Sequence, residues 1–566
     1  MFDKKAKKEI LAKPASLEFL QEQPKDWPAW NMDWKDRKKP AIGHMDEDAQ
    51  ISIAEQGPVR VAIEVKRKGM NSEIVQVYSL SAGETGKQLS VTNKVDWQSK
   101  EVSLKAAFPL TVENEMATYN LGVGTIQRNN NHEKKFEVPS KLWFDLTDKS
   151  GQYGVSIFED CKYGSDKPSD NTIRLTLLYT PKANAFNGDM AFQTTQDWGK
   201  HDFRYAIYGH VGDWRKGQSQ TKAMFFNQPL RAFEVSKHEG MLGKSISLLK
   251  PGSTSVGVMA FKKMEAGDYY LVRVNELSGQ DLKAQSLSFP GKVIDAYEVN
   301  GQEKKIGKAE FNGNKLNFDL SHYTIRSFAV KLEAPATPVS KPEQQVVELP
   351  FNADVFSFDH NRTDGNFNRY SFPAELIPAE VVSEDIHFKM GSTIDTQNNA
   401  VSCRNQVINI PQGNYTKLCI LASATADVKD NLQVDGTSYP LNVQSGTGFI
   451  GQSYNRNLTP DKYGVTSIDN AFVKQDNIAW FASHRHVGYP SKNDSYQYCY
   501  IYKYEINIPQ GAKIVTLPNN QKIKIFAITA VRGNARDLKA LQPLYDDFQT
   551  NTPIQLRGSA QVATGK

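Results

Sequence analysis

Apolar and polar residues alternate along much of this chain. In VRVAIEVK, residues 59–66, every second residue from Val59 to Val65 is apolar. The same alternation occurs in TIRLTLLYTP (172–181), DYYLVRVNEL (268–277) and IRSFAVKLE (325–333). Because successive side chains of a β-strand point to opposite faces of a sheet, this pattern predicts strands with one buried face. We therefore expect the apolar residues of 59–66 to point into a core.

Turn residues separate these segments, as in SAGETG, FNGDM and FNGNK, and helical patterns are rare. The best helical pattern is NARDLKALQPLYDDF (534–548), whose Leu538, Leu541, Tyr545 and Phe548 share one face. Pro543 would limit or kink that helix. Short strands joined by turns are typical of antiparallel sandwiches rather than of alternating strand–helix units. The predicted fold class is therefore all-β.

One linker stands out in the second half of the chain. APATPVSKPEQQ (334–345) contains three prolines and follows a complete strand pattern, which indicates an extended spacer between domains. Beyond it, INIPQG occurs twice, at 408–413 and 506–511. The residues upstream of the two copies differ, so the sequence favours two strands with the same turn chemistry over a duplicated domain.

Composition and charge exclude several classes of protein. The 566 residues are 39% hydrophobic and 23% charged, as in ordinary soluble globular proteins, and the net charge is only +5. This balance predicts neither a nucleic-acid nor an anionic-membrane partner. No stretch is long and apolar enough for a membrane helix, and no secretory signal is evident. The four cysteines are too far apart for a zinc ribbon, although one disulfide among Cys403, Cys419 and Cys499 stays open.

Two histidine motifs have the spacing of metal ligands. His44 and Asp46 are two residues apart, but their flanks predict no buried strand that would hold a metal ion. His484 and His486 follow the strand pattern IAWFAS, so both imidazoles should lie on one face of a strand. No third ligand is near them in sequence. A hydrogen-bonded structural pair is therefore favoured, and no metal site is assigned.

The segment WFDLTDKSGQYGVSIFEDCKYG (143–164) concentrates acids, a cysteine and aromatic residues. Glycoside hydrolysis needs two carboxyl groups about 5–9.5 Å apart that flank one bond. Glu159 and Asp160 are adjacent and should point to opposite faces of a strand, and Cys161 has no histidine nearby in sequence. The segment is interpreted as scaffold. Neither a nucleotide-binding fingerprint nor a nucleophile elbow occurs in the chain.

Five tyrosines alternate in YQYCYIYKY, from Tyr496 to Tyr504. Such a stripe could form a platform for stacking sugars, or it could fill the core of a sandwich. Because an exposed stripe of this size would favour aggregation, core packing is the preferred interpretation.

A longer series of motifs resembles glycoside hydrolase family 38, the α-mannosidases. The series comprises WPAWNMDW (27–34), LKAAFPLTVENEMATYNLGVGTIQR (104–128), FEVPSKLWFDLTDKSGQYGVSIFEDCKYG (136–164), IRLTLLYTP (173–181) and HDFRYAIYGHVGDW (201–214). Further on, SFPAELIP, NNAVSCRNQVINIPQGNY, IAWFASHRH and KIKIFAITA resemble the extra C-terminal module of bacterial members. The resemblance implies a large β-sandwich, a smaller one and a jelly-roll-like module.

In that family the zinc site, the aspartate nucleophile and the acid/base carboxylate lie in an α/β barrel that precedes the Trp-x-Ala-Trp segment. Only 26 residues precede Trp27 here, whereas a barrel needs about 200 or more. The resemblance therefore implies a chain without a catalytic or metal-binding residue of its own, and zinc is expected in the missing barrel. Candidate carbohydrate-contact residues are Trp143, Lys162, Tyr163, Trp214, His484 and His486.

The implied domains are a remnant of the helical linker region (1–40), a large sandwich (41–262), a small sandwich (263–333), the Pro-rich linker (334–348), the jelly-roll-like module (349–533), and a short helix with a loose tail (534–566). The leading hypothesis is a non-catalytic C-terminal portion of an α-mannosidase, inactive alone, with the barrel and α-mannosides as partners. A homo-oligomer and a periplasmic or extracellular location of the intact protein are compatible with it. The alternatives are a standalone carbohydrate-binding protein and an enzyme with its own carboxylate pair.

Overall fold

The computed structural model describes residues 1–28, 30–182, 196–235, 237, 242–334, 342–360, 367, 369–450, 453–459, 462–469, 476–488, 491–532 and 539–541. Over these residues the chain forms three units built from sheets whose strands pair almost entirely antiparallel. The prediction of an all-β chain is confirmed. Among the described residues no helix is long and apolar enough to cross a membrane.

The first unit is a sandwich of a nine-stranded and a six-stranded sheet. The elements of the unit are β1 (Phe2–Asp3), β2 (Lys8–Glu9), β3 (Ser16–Gln21), α1 (Trp34–Arg37), β4 (Gly43–His44), β5 (Glu47–Gln56), β6 (Arg60–Gly69), β7 (Ser72–Ser81), β8 (Gln88–Trp97), β9 (Val102–Pro109), β10 (Ala117–Asn120), β11 (Thr125–Arg128), β12 (Val138–Pro139), β13 (Trp143–Thr147), β14 (Tyr153–Glu159), β15 (Gly164–Ser169), β16 (Thr172–Thr180), β17 (Gly199–Val211) and α2 (Ser219–Asn227). The larger sheet has the order β11-β10-β13-β14-β17-β8-β7-β6-β5, and the smaller one β12-β15-β16-β9-β3-β4.

The core of this unit lies between its two sheets. Alternate residues of the facing strands meet there, among them Phe19, Trp97, Phe108 and Phe144, all fully buried. Phe19 belongs to β3, which pairs with β9 inside the smaller sheet. The expected helical remnant at 1–40 is thus wrong, because β3 extends the smaller sheet beside β9 and contributes Leu17 and Phe19 to the core between the two sheets. Only α1, four residues long, is helical in that segment.

The second unit packs a four-stranded against a five-stranded sheet. The elements are β19 (Lys250–Pro251), β20 (Val256–Lys263), β21 (Tyr270–Glu276), β22 (Leu282–Ser288), β23 (Val293–Val299), β24 (Lys305–Lys308), β25 (Glu310–Asn312), β26 (Lys315–Leu320) and β27 (Ile325–Leu332). The orders are β19-β22-β26-β25 and β20-β21-β27-β23-β24. Strand β18 (Phe233–Glu234) precedes this unit and pairs with the last strand of the chain. The sandwich begins near residue 250 and not at 263, because β19 and β20 pair within it.

The third unit has a central sheet whose middle strands are buried on both faces. Its elements are β28 (Glu343–Val347), β29 (Phe356–Ser357), β30 (Tyr370–Pro373), a 3₁₀ turn (Ala374–Leu376), β31 (Glu380–Ser383), β32 (Ile386–Lys389), β33 (Val401–Ser402), β34 (Val407–Asn409), β35 (Lys417–Ala424), β36 (Val428–Val434), β37 (Thr437–Val443), β38 (Thr447–Phe449), β39 (Ser453–Thr459), β40 (Lys462–Asp469), β41 (Asn477–Gly488), β42 (Ser491–Asn507), β43 (Ile514–Thr516), β44 (Ile523–Arg532) and β45 (Lys539–Ala540).

Strand β35 shows how the two faces are filled. Leu418 and Ile420 point into a core shared with β36, β37 and β43, whereas Cys419 and Leu421 point into a second core around Phe356. A strand buried on both faces has a continuous apolar run, as in LCILASA of this strand. Strand β28 pairs with β44, so the unit begins inside the segment expected to be a linker.

Three smaller expectations can also be compared with the structure. The two INIPQG copies lie in different sheets, at the ends of β34 and β42, as expected for two strands with shared turn chemistry. All four cysteines are free, Cys161 exposed and the others buried. The helix expected at 534–548 lies outside the described residues except at 539–541, where β45 pairs with β18.

Candidate functional site

Trp143 and Trp214, two of the residues expected to contact carbohydrate, lie in the interior of the first unit. Their rings pack together with centroids 5.0 Å apart, and Trp143 Nε1 donates a hydrogen bond to Gln220 Oε1 at 2.7 Å. Both side chains are buried, since α2 covers this part of β13 and β14. The expectation of a surface position for these two tryptophans is therefore corrected: they form a small core beneath the helix.

Lys162 and Tyr163 lie at the surface, in the turn after β14. The Tyr163 side chain is exposed. The Lys162 ammonium lies 4.6 Å from the centroid of the Phe203 ring, a cation–π distance. Of the four candidates in the first unit, these two are accessible to a ligand, and their contact with carbohydrate stays a prediction.

The acids beside them have structural roles. Glu159 is fully buried, and its carboxylate accepts hydrogen bonds from the backbone N–H groups of Leu142 and Lys162. Burial raises the pKa of Glu159 to about 7, against the opposing effect of those two donors. Asp160 points away and accepts from the Arg204 backbone N–H and Nε. The two carboxyl groups thus do not face one bond, in agreement with the scaffold interpretation.

Cys161 is exposed but is not activated. Partial burial of the thiol and the neighbouring Asp160 carboxylate raise its pKa to about 11. A thiol nucleophile needs a lowered pKa, because the thiolate is the reactive form.

A serine, a histidine and an aspartate that the sequence analysis did not connect also meet in the first unit. His210 Nε2 lies 2.8 Å from Asp145 Oδ2 and 3.2 Å from Ser156 Oγ. In a nucleophilic triad the serine and the aspartate contact different imidazole nitrogens. Here the same nitrogen, His210 Nε2, contacts both Asp145 and Ser156, and all three side chains are buried. The cluster is a polar element of the interior; its members lie 11 to 65 positions apart, so no local motif reveals it.

An apolar surface extends across β5, β6 and β7, at the edge of the larger sheet. We call it the apolar sheet face; it consists of Ile51 (72% exposed), Ile53 (64%), Val59 (75%), Val61 (50%), Ile63 (45%) and Leu80 (42%). Ile53 pairs with Ile63, and Val61 with Leu80, so these side chains share one side of the sheet. The expectation that Val59, Val61 and Ile63 are buried is wrong, although Val65 on the same strand is buried. The outer part of the three strands has no covering layer among the described residues.

The second histidine pair lies in the third unit, where the structure supplies the missing third residue. His484 and His486 are on β41, and Glu375 is in the 3₁₀ turn that follows β30. Glu375 Oε1 lies 3.3 Å from His484 Nε2 and 3.1 Å from His486 Nε2. We call these three residues the His–Glu cluster. Among the described residues it is the one group of three potential ligands close enough to hold a metal ion, and His44 is not part of such a group.

Strand pairing brings Glu375 to the histidines. Ser371 of β30 lies opposite His486 of β41, so the turn after β30 lies beside that strand. Trp480 Nε1 donates to the Leu376 carbonyl at 3.0 Å and holds the turn in place. The sequence signal for Glu375 is weak, because it lies 109 positions from His484 and no spacing rule connects them.

Further contacts fix the buried histidine. His486 Nδ1 lies 3.3 Å from Ser357 Oγ, and the His360 ring packs against the His486 ring in a tilted arrangement with centroids 3.8 Å apart. His360 Nε2 is in turn held by Asn493 Oδ1 at 2.6 Å. Burial lowers the pKa of His486, which keeps its imidazole neutral at physiological pH.

The tyrosine stripe of β42 is mostly interior. Tyr500 and Tyr502 are buried, and the Tyr502 hydroxyl donates to the Ser445 carbonyl at 3.0 Å. Tyr504 donates to Asp476, and Tyr496 alone of the five is strongly exposed. The core-packing interpretation is confirmed for the middle of the stripe, and a platform of five tyrosines is not formed.

Three family models match the chain. Residues 1–187 match the glycosyl hydrolases family 38 C-terminal domain, and residues 255–328 match the glycosyl hydrolases family 38 C-terminal beta sandwich domain. Residues 343–534 match an AziU2-like beta-sandwich domain. These ranges correspond to the three units of the structure.

Curated relatives agree with the two family 38 matches. Alpha-mannosidase 2C1 of Homo sapiens is 25% identical over 321 residues, which are 55% of this chain and 29% of that protein. Alpha-mannosidase of Saccharomyces cerevisiae is 30% identical over 203 residues, 34% of this chain and 18% of that protein. An alpha-mannosidase structure from Enterococcus faecalis V583 has a TM-score of 0.48 and 17% identity, covering 58% of this chain and 40% of that one.

The chain spans less than a third of the length of these curated relatives. The matched residues fall in the part that the family models describe as C-terminal. Residues 1–187 and 255–328 are thus similar to the C-terminal β-sandwich domains of the glycosyl hydrolases of family 38, and residues 343–534 are similar to an AziU2-like β-sandwich domain.

Proposed function

We propose that this chain is the non-catalytic C-terminal portion of a zinc-dependent, retaining α-mannosidase, and that it supplies scaffold and a docking surface for the catalytic α/β barrel. The observation that carries the proposal is the apolar sheet face. Exposed apolar patches of this kind, continuous over several strands, mark surfaces that another protein surface covers.

The position of this face supports the barrel as its occupant. It lies on the unit that matches the family 38 C-terminal domain, and the curated relatives have most of their length outside the matched region. Burial of one Ile or Val side chain contributes about 1.5–3 kcal/mol, so covering several of them would contribute substantially to a stable interface. An exposed ion pair joins Glu55 of β5 to Arg60 of β6, near the ends of the same strands, and such polar groups suit the rim of an interface.

In this proposal the barrel carries the reaction. Zinc, when bound there, would orient the sugar hydroxyls. Among the described residues of the first two units no group of three candidate ligands occurs, so we derive no step through zinc on this chain. The contribution of this chain is to hold the barrel and to close its surroundings, with Lys162 and Tyr163 as the accessible candidates for contact with substrate.

A standalone carbohydrate-binding protein is the alternative. An independent binder should carry polar residues where the barrel would dock, and it should expose aromatic rings to stack on sugars. The exposed isoleucines of β5 and β6 and the buried tyrosines of β42 both favour the barrel-docking proposal over this alternative.

The first test is hydrolysis of an aryl α-mannoside by the purified chain, with and without added zinc. We expect no turnover above that of a heat-inactivated sample. Zinc-dependent hydrolysis by the pure chain would contradict the proposal.

The second test uses a family 38 catalytic barrel produced as a separate chain. We expect the two chains to co-elute and to restore turnover. The double variant I53K/I63K should abolish both effects, because two buried ammonium groups would be left without partners. Ser52 lies on the opposite side of β5, where it pairs with Glu64 of β6, so Ser52→Lys is the matched control and should leave association unchanged. Equal association of all three proteins would exclude the apolar sheet face as the docking surface.

A further inference from the structure

We propose that the His–Glu cluster binds one Zn²⁺ ion, with Glu375, His484 and His486 as its protein ligands. This site belongs to the AziU2-like unit and is independent of the proposed role of the first unit. It joins two segments of the chain, the 3₁₀ turn after β30 and the long strand β41.

The two distances from the Glu375 carboxylate to the histidines correspond to the distance between two ligands of one tetrahedral ion. With zinc–nitrogen and zinc–oxygen bonds of about 2.0–2.1 Å, two ligand atoms of a tetrahedron lie roughly 3.3 Å apart. Glu375 Oε1 lies 3.3 Å and 3.1 Å from the two Nε2 atoms. All three ligand atoms lie within 4.8 Å of one another. A charge-assisted hydrogen bond is typically shorter, about 2.7–2.9 Å.

The types of ligand in the cluster also favour zinc. Two imidazoles and one carboxylate, with a fourth position left for water, are a ligand set used by protein zinc sites. Neutral imidazole is the form that coordinates a metal ion. The Glu375 side chain is 39% exposed and that of His484 16%, so an ion can reach the cluster from solvent.

Hydrogen bonds and a ring contact around the cluster orient its ligands. A histidine that coordinates through Nε2 usually donates its Nδ1–H to a neighbouring acceptor, which fixes the tautomer and the ring plane. Ser357 Oγ is in place to accept a hydrogen bond from His486 Nδ1. The Ser357 hydroxyl is also hydrogen-bonded to the Ser371 hydroxyl, with the two Oγ atoms 2.5 Å apart. The His360 ring also packs against the His486 ring.

Without a metal ion, the same contacts would be hydrogen bonds in which both Nε2–H groups donate to Glu375. The two arrangements differ in their protons: Ser357 accepts from Nδ1 when zinc is bound and donates to it when zinc is absent. They also differ in consequence, because an ion would cross-link the turn to β41 and stabilise the folded state whenever it binds.

The test is titration of the full chain, stripped of metals by a chelator, with Zn²⁺ alone, followed by calorimetry and by the thermal unfolding midpoint. We expect one zinc per chain and a rise of the midpoint. Cobalt substitution should give the visible absorption of a tetrahedral Co²⁺ centre. Glu375→Gln and His484→Gln should each weaken binding about 100-fold or more, and Ser357→Ala about 10–100-fold.

The matched control is His387→Gln. His387 and Glu380 form an exposed pair at 3.1 Å on the β31–β32 hairpin of the same unit, and they belong to no three-ligand group among the described residues. This variant should bind zinc as the parent chain does. Because Glu375 is partly exposed, Glu375→Gln should fold, and its circular dichroism without metal checks this. Absence of stoichiometric binding, equal binding by Glu375→Gln and the parent, or a cobalt spectrum without tetrahedral bands would each overturn the proposal.

Discussion

Lys105 Nζ lies 3.1 Å from Asp166 Oδ1 inside the first unit, and both side chains are completely buried. Arg174 Nη2 contacts the other oxygen of the same carboxylate at 2.5 Å, and Glu137 also pairs with Lys105. Burial alone would raise the pKa of Asp166, but the Lys105 and Arg174 cations outweigh it and hold that pKa well below its usual range. Asp166 is thus the acceptor on which two buried cations depend.

Asp166→Asn should destabilise the first unit by about 3–5 kcal/mol, because it leaves two buried cations with one counter-charge fewer. The loss of stability should be present at neutral pH and should diminish as the pH falls. A carboxyl group with a lower pKa in the folded state stabilises the fold at pH values above its unfolded-state pKa, and this contribution disappears at pH values below its folded-state pKa. Denaturant unfolding at pH 7 measures it. The control is Asp268→Asn, an exposed partner of Lys331, which should not shift the midpoint; an equal shift in both variants would contradict the prediction.

Glu159 should make the first unit less stable as the pH rises. Its pKa is raised to about 7 in the folded state, above the unfolded value near 4.5, so folding retains a proton that the unfolded chain releases between these values. The free energy of unfolding of the first unit should therefore fall by about 2–3 kcal/mol between pH 5 and pH 8. The stability of Glu159→Gln relative to the parent should rise by that amount over the same range. The exposed Glu115→Gln serves as control, and parallel pH profiles for all three proteins would refute the assignment.

The tyrosine stripe should respond to mutation as a core does. Tyr502→Ala should cost about 3–5 kcal/mol, and Tyr502→Phe about 1 kcal/mol through loss of the hydrogen bond to Ser445. Tyr496→Ala should have little effect, since that ring is exposed. Thermal unfolding compares the three variants. If Tyr502→Ala unfolds at the parent temperature, the ring does not contribute to the core.

Replacement of isoleucines on the apolar sheet face should leave the fold intact and reduce exposed apolar surface. The triple variant I51T/I53T/I63T keeps β-branched residues in the strands and should change stability by less than about 0.5 kcal/mol per site. The fluorescence of a hydrophobic dye bound to the protein should fall. Val65→Thr, at a buried position of the same strand, should instead cost about 1–3 kcal/mol. Strong destabilisation by the triple variant would show that a layer of the protein covers this face.

The sequence by itself determined the local structure. Period-two alternation identified strands such as β16 and β27, because side-chain direction along a strand depends only on neighbouring residues. The ordered motifs from 104 to 214 likewise indicated the family, and the Pro-rich segment separated the second unit from the third. The sequence also indicated that Glu159 and Asp160 do not form a catalytic carboxyl pair, because adjacent residues of a strand point to opposite faces of the sheet.

Only the tertiary structure decided which surfaces are covered and which distant residues meet. Val61 and Val65 have the same pattern, yet one is exposed and the other buried, because burial depends on a layer contributed by other strands. Trp143 is buried because α2 covers it, and Glu375 lies beside His486 because β30 pairs with β41. Such contacts join residues up to 111 positions apart, so no local pattern contains them.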